Sequence, residues 1–210
     1  GMEKPLWMVC LTHMFMEVFL LMQVAIIPTY IREFKLSFLE ASLVATVPGL
    51  VQLIMNIPAG FLADQFNTRH LLFTSMVIEG LSALLVSQTS NFWTLVLAVS
   101  VMRVSSPIYH TSGLSHITRL VKREQTSKLI SFHNALGSLG SAIGGISLAI
   151  FLSTKGWRWT YLFWAVPILT WGFIILRSSQ LGTKIFEKRE TEKGGRLPRL
   201  SIIFSAGLFT

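Results

Sequence analysis

The chain has 210 residues, of which 51% are hydrophobic and only 13% charged, with a mean hydropathy of +0.58. Soluble domains carry about 25% charged residues, so a soluble fold of this length is excluded. The net charge of +8 sits in short loops between apolar runs, a pattern of membrane topology rather than of a nucleic-acid groove, and no nucleic-acid partner is expected.

A membrane helix needs about 20 mostly apolar residues. Segments near 6–30, 39–62, 71–90, 92–113, 128–153 and 157–177 meet this, which predicts an all-α membrane protein with a six-transmembrane-helix bundle. The first run is too long for a signal-peptide core and lacks an A-x-A cleavage pattern, so it reads as a retained helix. It holds Cys10, the only cysteine, which excludes an internal disulfide and a Cys-type zinc site. It also holds His13 and Glu17, one turn apart on one face. Met14, Met16 and Met22 read as packing or lipid-facing residues, and no metal or cofactor is expected.

A short polar hinge, Gly60-Phe61-Leu62-Ala63-Asp64-Gln65-Phe66-Asn67-Thr68-Arg69-His70, separates the second and third helices. The third contains Glu79, whose side chain is expected either in a cavity or against a neighbouring helix. The fourth carries Arg103, Pro107 and His110 on one face, with Pro107 expected to kink it. In the fifth, Gly137, Gly140, Gly144 and Gly145 form a small-residue face suited to close helix contact. His70 and His116 read as surface residues in loops. The expected boundaries are a bundle over 1–177, a charged linker over 178–200, and the start of a seventh helix over 201–210, inside which the chain is predicted to end. Acids interrupt the bases of the linker, which favours a solvated segment over an anionic-lipid contact.

Short connections make neighbouring helices antiparallel. Lys4, Arg69, Arg119, Lys122, Arg123, Lys128 and the bases from Arg177 to Arg199 then fall on one side, with Arg32, Lys35, Lys155 and Arg158 on the other. The positive-inside rule makes the first side cytoplasmic and predicts a plasma-membrane protein with its N-terminus inside.

The hinge resembles motif A of the major facilitator superfamily, G-x-L-A-D-R/K-x-G-R/K-R/K. Gly60, Leu62, Ala63 and Asp64 stand in place, Gln65 and Thr68 replace bases, and Asn67 replaces glycine. Asn67 is expected in the left-handed turn conformation, and Arg69 keeps one positive charge. The resemblance implies the N-terminal half of a twelve-helix fold, itself a 3+3 inverted repeat, whose partner is a missing C-terminal six-helix half. It further implies a gate in which Gly60 permits close helix approach and Asp64 pairs with Arg69 or faces a helix N-terminus. An ordinary polar turn is the other reading of this loop.

Thr12-His13 with Glu17, Ser106-Pro107-Ile108-Tyr109-His110, and Ser131-Phe132-His133-Asn134 with the glycines after it are similar to elements of fosmidomycin-resistance-type exporters. Thr111 and Gly145 stand where that group has proline. Arg103 departs as well, and resembles the fourth-helix arginine of the superfamily's proton antiporters. Gly156-Trp157-Arg158-Trp159 resembles a general superfamily feature before the sixth helix.

Ionisable groups at membrane depth face a cavity or a partner. At 1.5 Å per residue, Glu17 lies about 16 Å and His13 about 10 Å in from one edge, with Arg103 about 13 Å and His110 about 24 Å from the other. In a core of about 30 Å, Glu17 and Arg103 share the midplane, and the two histidines share the cytoplasmic third. The resemblance sets the first and fourth helices around a central cavity. It implies proton-coupled efflux of a small organic molecule by alternating access, in a lipid bilayer. Glu17 would exchange a proton, Arg103 would tune it or hold an anionic substrate, and His13 and His110 would relay protons. A structural ion pair is the alternative reading of Glu17 and Arg103. An uptake symporter or uniporter, or a non-transporting half-protein, are the alternative functions. No H-E-x-x-H or G-x-S-x-G pattern is present, and an enzyme is not expected.

Overall fold

The computed structural model describes residues 4–120 and 123–181, so most of the expected linker and all of the expected seventh helix lie outside the described residues. The described residues form eight α-helices: α1 (Lys4–Ala25), α2 (Ile27–Phe34), α3 (Phe38–Gln65), α4 (Thr68–Ser87), α5 (Phe92–Arg103), α6 (Ser105–Leu120), α7 (Arg123–Thr154) and α8 (Arg158–Arg177). Counting α5 and α6 as one span, six helical stretches are long and apolar enough to cross a membrane.

Local chemistry sets the helix ends. Ser37 opens α3 with a capping box, its Oγ accepting from the Glu40 N–H at 3.2 Å while Glu40 Oε2 accepts from the Ser37 N–H at 2.8 Å. Asn91 and Thr94 open α5 in the same way. Gly156, at φ +94, reverses the chain between α7 and α8, a conformation that L side chains rarely adopt. Several helices outrun their apolar cores: α3 reaches Gln65, and α7 begins at Arg123. An apolar run marks the hydrocarbon slab, and the backbone stays helical beyond it. His70 and His116 are therefore helical rather than in loops, in α4 and α6, and His116 is buried.

Two expected spans are broken by proline. The first divides at Ile26, two residues before Pro28. The fourth divides at Val104, three residues before Pro107. A proline has no N–H for the carbonyl four residues back, and its ring crowds that carbonyl. For Pro107 that carbonyl belongs to Arg103, so the break falls beside the arginine. Pro48 and Pro58 leave α3 continuous.

Packing follows the expected repeat only in part, since α4 also packs broadly on α5 and α6 whereas the exchanged pair, α8 on α1, barely touches. The most extensive contacts are α1 on α7, α4 on α8, and α3 on α5 and α6. Exchanging the first three spans with the last three maps the α1–α7 pair onto the pair of α5–α6 with α3, and maps α4–α8 onto itself. Counted by spans, the described residues form a bundle of six helices.

The α1–α7 seam is closed by glycine. A methyl group on Gly140 or Gly144 would strike the backbone carbonyl of Met14 or Val18, and one on Gly137 would strike the His13 ring. Gly145 faces the Leu21 side chain, 3.2 Å from the place of a Cβ. At one end of the bundle, Glu33 of α2 pairs with Arg158, accepts from Trp157 Nε1 at 2.5 Å, and so ties α2 to the start of α8. Arg158 also donates to the Thr89 carbonyl at 2.7 Å and lies over the Trp157 ring at 4.3 Å.

The polar hinge takes a form that the sequence did not anticipate. Asn67 sits at φ −69, ψ 137, outside the left-handed region. It is the N-cap of α4, its Oδ1 accepting from the Arg69 N–H at 2.9 Å. Only Phe66 and Asn67 separate the helices, so the residue before α4 must cap it, and an Asn side chain does so in extended geometry.

Candidate functional site

The proline break and the glycine seam aim polar side chains at one cavity of about 390 Å³. Its wall includes Glu17 from α1, Gln52 from α3, Glu79 from α4, Arg103 from α5, and Ser106 and His110 from α6. Met16, Phe19, Leu20 and Met102 supply apolar surface. Such a mix suits an organic molecule held by a few polar contacts.

Glu17 is flanked by two imidazoles. His13 Nε2 lies 3.3 Å and His110 Nε2 lies 3.6 Å from Glu17 Oε1. Arg103 lines the cavity but forms no ion pair among the described residues. It borders a smaller adjoining cavity of about 110 Å³ with Gln23, Tyr30 and Pro48. Glu17 and Arg103 thus share the cavity wall, while the contacts of Glu17 are to His13 and His110. Depth orders groups along the membrane normal, whereas lateral reach decides which of them touch. His13 lies one turn from Glu17 on the same helix, and that contact forms locally.

Hydrogen-bond accounting fixes where protons sit. His13 Nδ1 is 2.9 Å from the His133 carbonyl oxygen, which can only accept, so Nδ1 carries a hydrogen. The contact from His13 Nε2 to Glu17 then needs one further proton, on the ring or on the carboxyl. The Tyr109 hydroxyl donates to the Val9 carbonyl at 2.9 Å and therefore accepts from His133 Nε2 at 2.7 Å. The His13 and His133 rings stack at 3.8 Å and 8°. The ligand atoms of His13, Glu17 and His110 lie within 4.8 Å of one another, close enough to share a proton or a small cation.

Gly137 is what lets α7 approach this stack, since any side chain there would displace the His13 ring. Ser141 strengthens the seam by donating to the Glu17 carbonyl at 3.0 Å. Trp171 of α8 donates to Thr12 Oγ1 at 3.0 Å and fixes the turn of α1 below His13.

Glu79 is buried, lines the cavity and bonds Ser105 Oγ across the α4–α6 contact. The sequence left its side open. His133 and Tyr109 were visible only as parts of a resemblance, although His133 stands one turn before Gly137 on the face that meets α1.

The hinge residues lie apart from the cavity wall. Arg69 turns away from Asp64, and its Nη1 donates to the Ser178 carbonyl at 3.3 Å, just past the end of α8. Helix C-termini attract cations, which accounts for the choice. Asp64 is exposed and forms no ion pair among the described residues. Gly60 has nothing within 4 Å of the place of a Cβ, so no described helix exploits its small size.

A family model described as Major Facilitator Superfamily matches residues 8–210. Relatives include proteins named multidrug resistance protein MdtD. The one from Citrobacter koseri is 27% identical over 141 residues, covering 65% of this chain and 30% of its own length. That from Shigella flexneri is 24% identical, covering 65% of this chain and 29% of its own length. That from Cronobacter sakazakii is 25% identical, covering 50% and 22%. The matched part thus spans less than a third of each of these relatives.

Proposed function

The chain belongs to the Major Facilitator Superfamily, and on that premise we propose that it forms the first six-helix half of a transporter that exports a small organic molecule in exchange for protons. The relatives named for multidrug resistance support export over uptake. The observation that carries proton coupling is the Glu17 carboxyl held between His13 and His110 in the cavity wall. That cluster must bind one more proton than a neutral imidazole beside a carboxylate, and a cavity that opens alternately to each side would load and release it. Arg103 shares the wall and would tune Glu17 or hold an anionic group of the cargo.

Motif A plays the gate in this reading. Asp64 and the face around Gly60 are open in the half-bundle, as a surface that meets a second half would be. In this reading Arg69, with Lys4 and the other bases of this end, favours a cytoplasmic side for it and for the N-terminus, in the plasma membrane. The likeness of Thr12-His13, Glu17 and His110 to fosmidomycin-resistance-type exporters makes fosmidomycin one compound to assay.

The test is expression of the whole transporter, this half together with its second half, in a drug-sensitive bacterium, scored on a panel of toxic organic compounds that includes fosmidomycin. Wild type should protect against at least one compound, and Glu17→Gln should abolish the protection at equal expression. Protection that survives Glu17→Gln would remove Glu17 from the mechanism. Reversing an imposed pH gradient in membrane vesicles separates export from uptake.

A further inference from the structure

Glu79 is the second carboxyl of the cavity, and its surroundings differ from those of Glu17. It sits within α4, 3% exposed, with no ion pair among the described residues. Among the described residues its hydrogen-bond partner is Ser105 Oγ at the start of α6. Ser105 Oγ also lies 2.6 Å from the Met102 carbonyl oxygen. A hydroxyl has one hydrogen, and a carbonyl can only accept. With Glu79 ionised, one of these two oxygen–oxygen contacts would set acceptor against acceptor. With Glu79 protonated, the carboxyl donates to Ser105 and Ser105 donates to Met102, and both contacts are satisfied.

Burial argues the same way. An ionised carboxylate without a cationic partner is strongly disfavoured away from water, and it takes a proton instead. The charged and titratable groups around Glu79 are Glu17 on α1, Arg103 on α5, His110 on α6 and Tyr161 on α8. Glu17 is engaged by the two histidines, and the Tyr161 hydroxyl by that of Tyr30 at 3.0 Å. Arg103 is the cation on the same wall that no described carboxylate pairs with.

From this geometry we propose that Glu79 is a second proton site of the cavity, separate from the Glu17 cluster, neutral in this conformation and able to pass its carboxylate to Arg103 when the proton leaves. Its place in a transport cycle rests on the proton-coupled reading above, whereas its protonation in this state does not. The Val104 break lies between Arg103 and Ser105, so movement there alters both partners of Glu79 together.

The experiment is infrared difference spectroscopy of the full chain in lipid bilayers, stepped from neutral to alkaline pH. The wild type should show the carbonyl stretch of a protonated carboxyl that disappears on the step. The band should be absent in Glu79→Gln and retained in Glu17→Gln. Spectra of wild type and Glu79→Gln that coincide would overturn the proposal. Should Glu79→Gln fail to insert, Ser105→Ala keeps the carboxyl and removes its acceptor, so the band should move to the position of a carboxyl without that bond. A band unmoved by Ser105→Ala would also overturn it. No substrate is needed, so the two readings fail separately: a Glu79 band without pH-driven transport sinks the transport reading alone, and pH-driven transport without the band sinks this one alone.

Discussion

Two glycine-bearing regions of the bundle behave in opposite ways. Along the α1–α7 seam, Gly140 and Gly144 meet the backbone carbonyls of Met14 and Val18. At the end of α3, Gly60 meets nothing within 4 Å, and large apolar side chains around it such as Ile57 and Phe61 are exposed. Both regions carry small residues at helix positions, and only one is used inside the described body. The seam holds the Glu17 cluster in register, because α7 brings the His133 carbonyl and ring against His13. The α3 face is free for lipid or for another set of helices. A glycine in a membrane helix therefore has meaning only through what stands opposite it.

Substitutions can break this contrast. The largest effect is expected for Gly144→Ala or Gly140→Ala. The obstacle is backbone, which no rotamer change relieves, so each should lower stability by about 1–3 kcal/mol. Thermal unfolding in detergent would read this, and an unchanged midpoint would contradict the seam as described. Arg158→Ala comes next. It removes the tie between α2 and α8, and the pair is about a third exposed, so a loss of about 1 kcal/mol is expected after solvent screening. Substituting Glu33→Gln as well should add little if the two act through one contact, which a double-mutant cycle would reveal.

Gly145→Ala sharpens the comparison further. Its neighbour is the flexible end of Leu21, so the cost should stay below about 1 kcal/mol. The smallest change in stability is expected for Gly60→Ala, which has open space and gains up to about 1 kcal/mol of helix propensity. If the α3 face docks against a second half, the same substitution should leave the unfolding midpoint level or raised and still reduce transport. Destabilisation by Gly60→Ala would show that the face is not open.

Much of the architecture was legible from composition. Six apolar runs separated by short polar loops imply six spans, because the bilayer core demands length and apolarity before anything else. Motif A, carried by Gly60, Leu62, Ala63 and Asp64, pointed to the superfamily that the family model also finds. Finer geometry was less accessible. Asn67 was expected in a left-handed turn because glycine is usual there, yet capping α4 decided its conformation. Pro107 marked a break, but the break at Val104 follows from the carbonyl that proline cannot serve, not from the proline's own position.

The site divides in the same manner. His13 and Glu17 were readable as a pair, since four residues on one helix place them together by local geometry alone. His110 was readable as a neighbour in depth, though not as a partner of Glu17. The pairing of Glu17 with two imidazoles instead of Arg103, the stacking of His133 on His13, and the meeting of Glu79 with Ser105 are contacts between helices distant in sequence. The sequence by itself determined the spans and the local His13–Glu17 face, because those depend on hydropathy and helical period. Only the tertiary structure decided which polar groups meet, because helix rotation and close approach are set by what packs opposite each face. At the α1–α7 seam, that was a backbone carbonyl against a glycine.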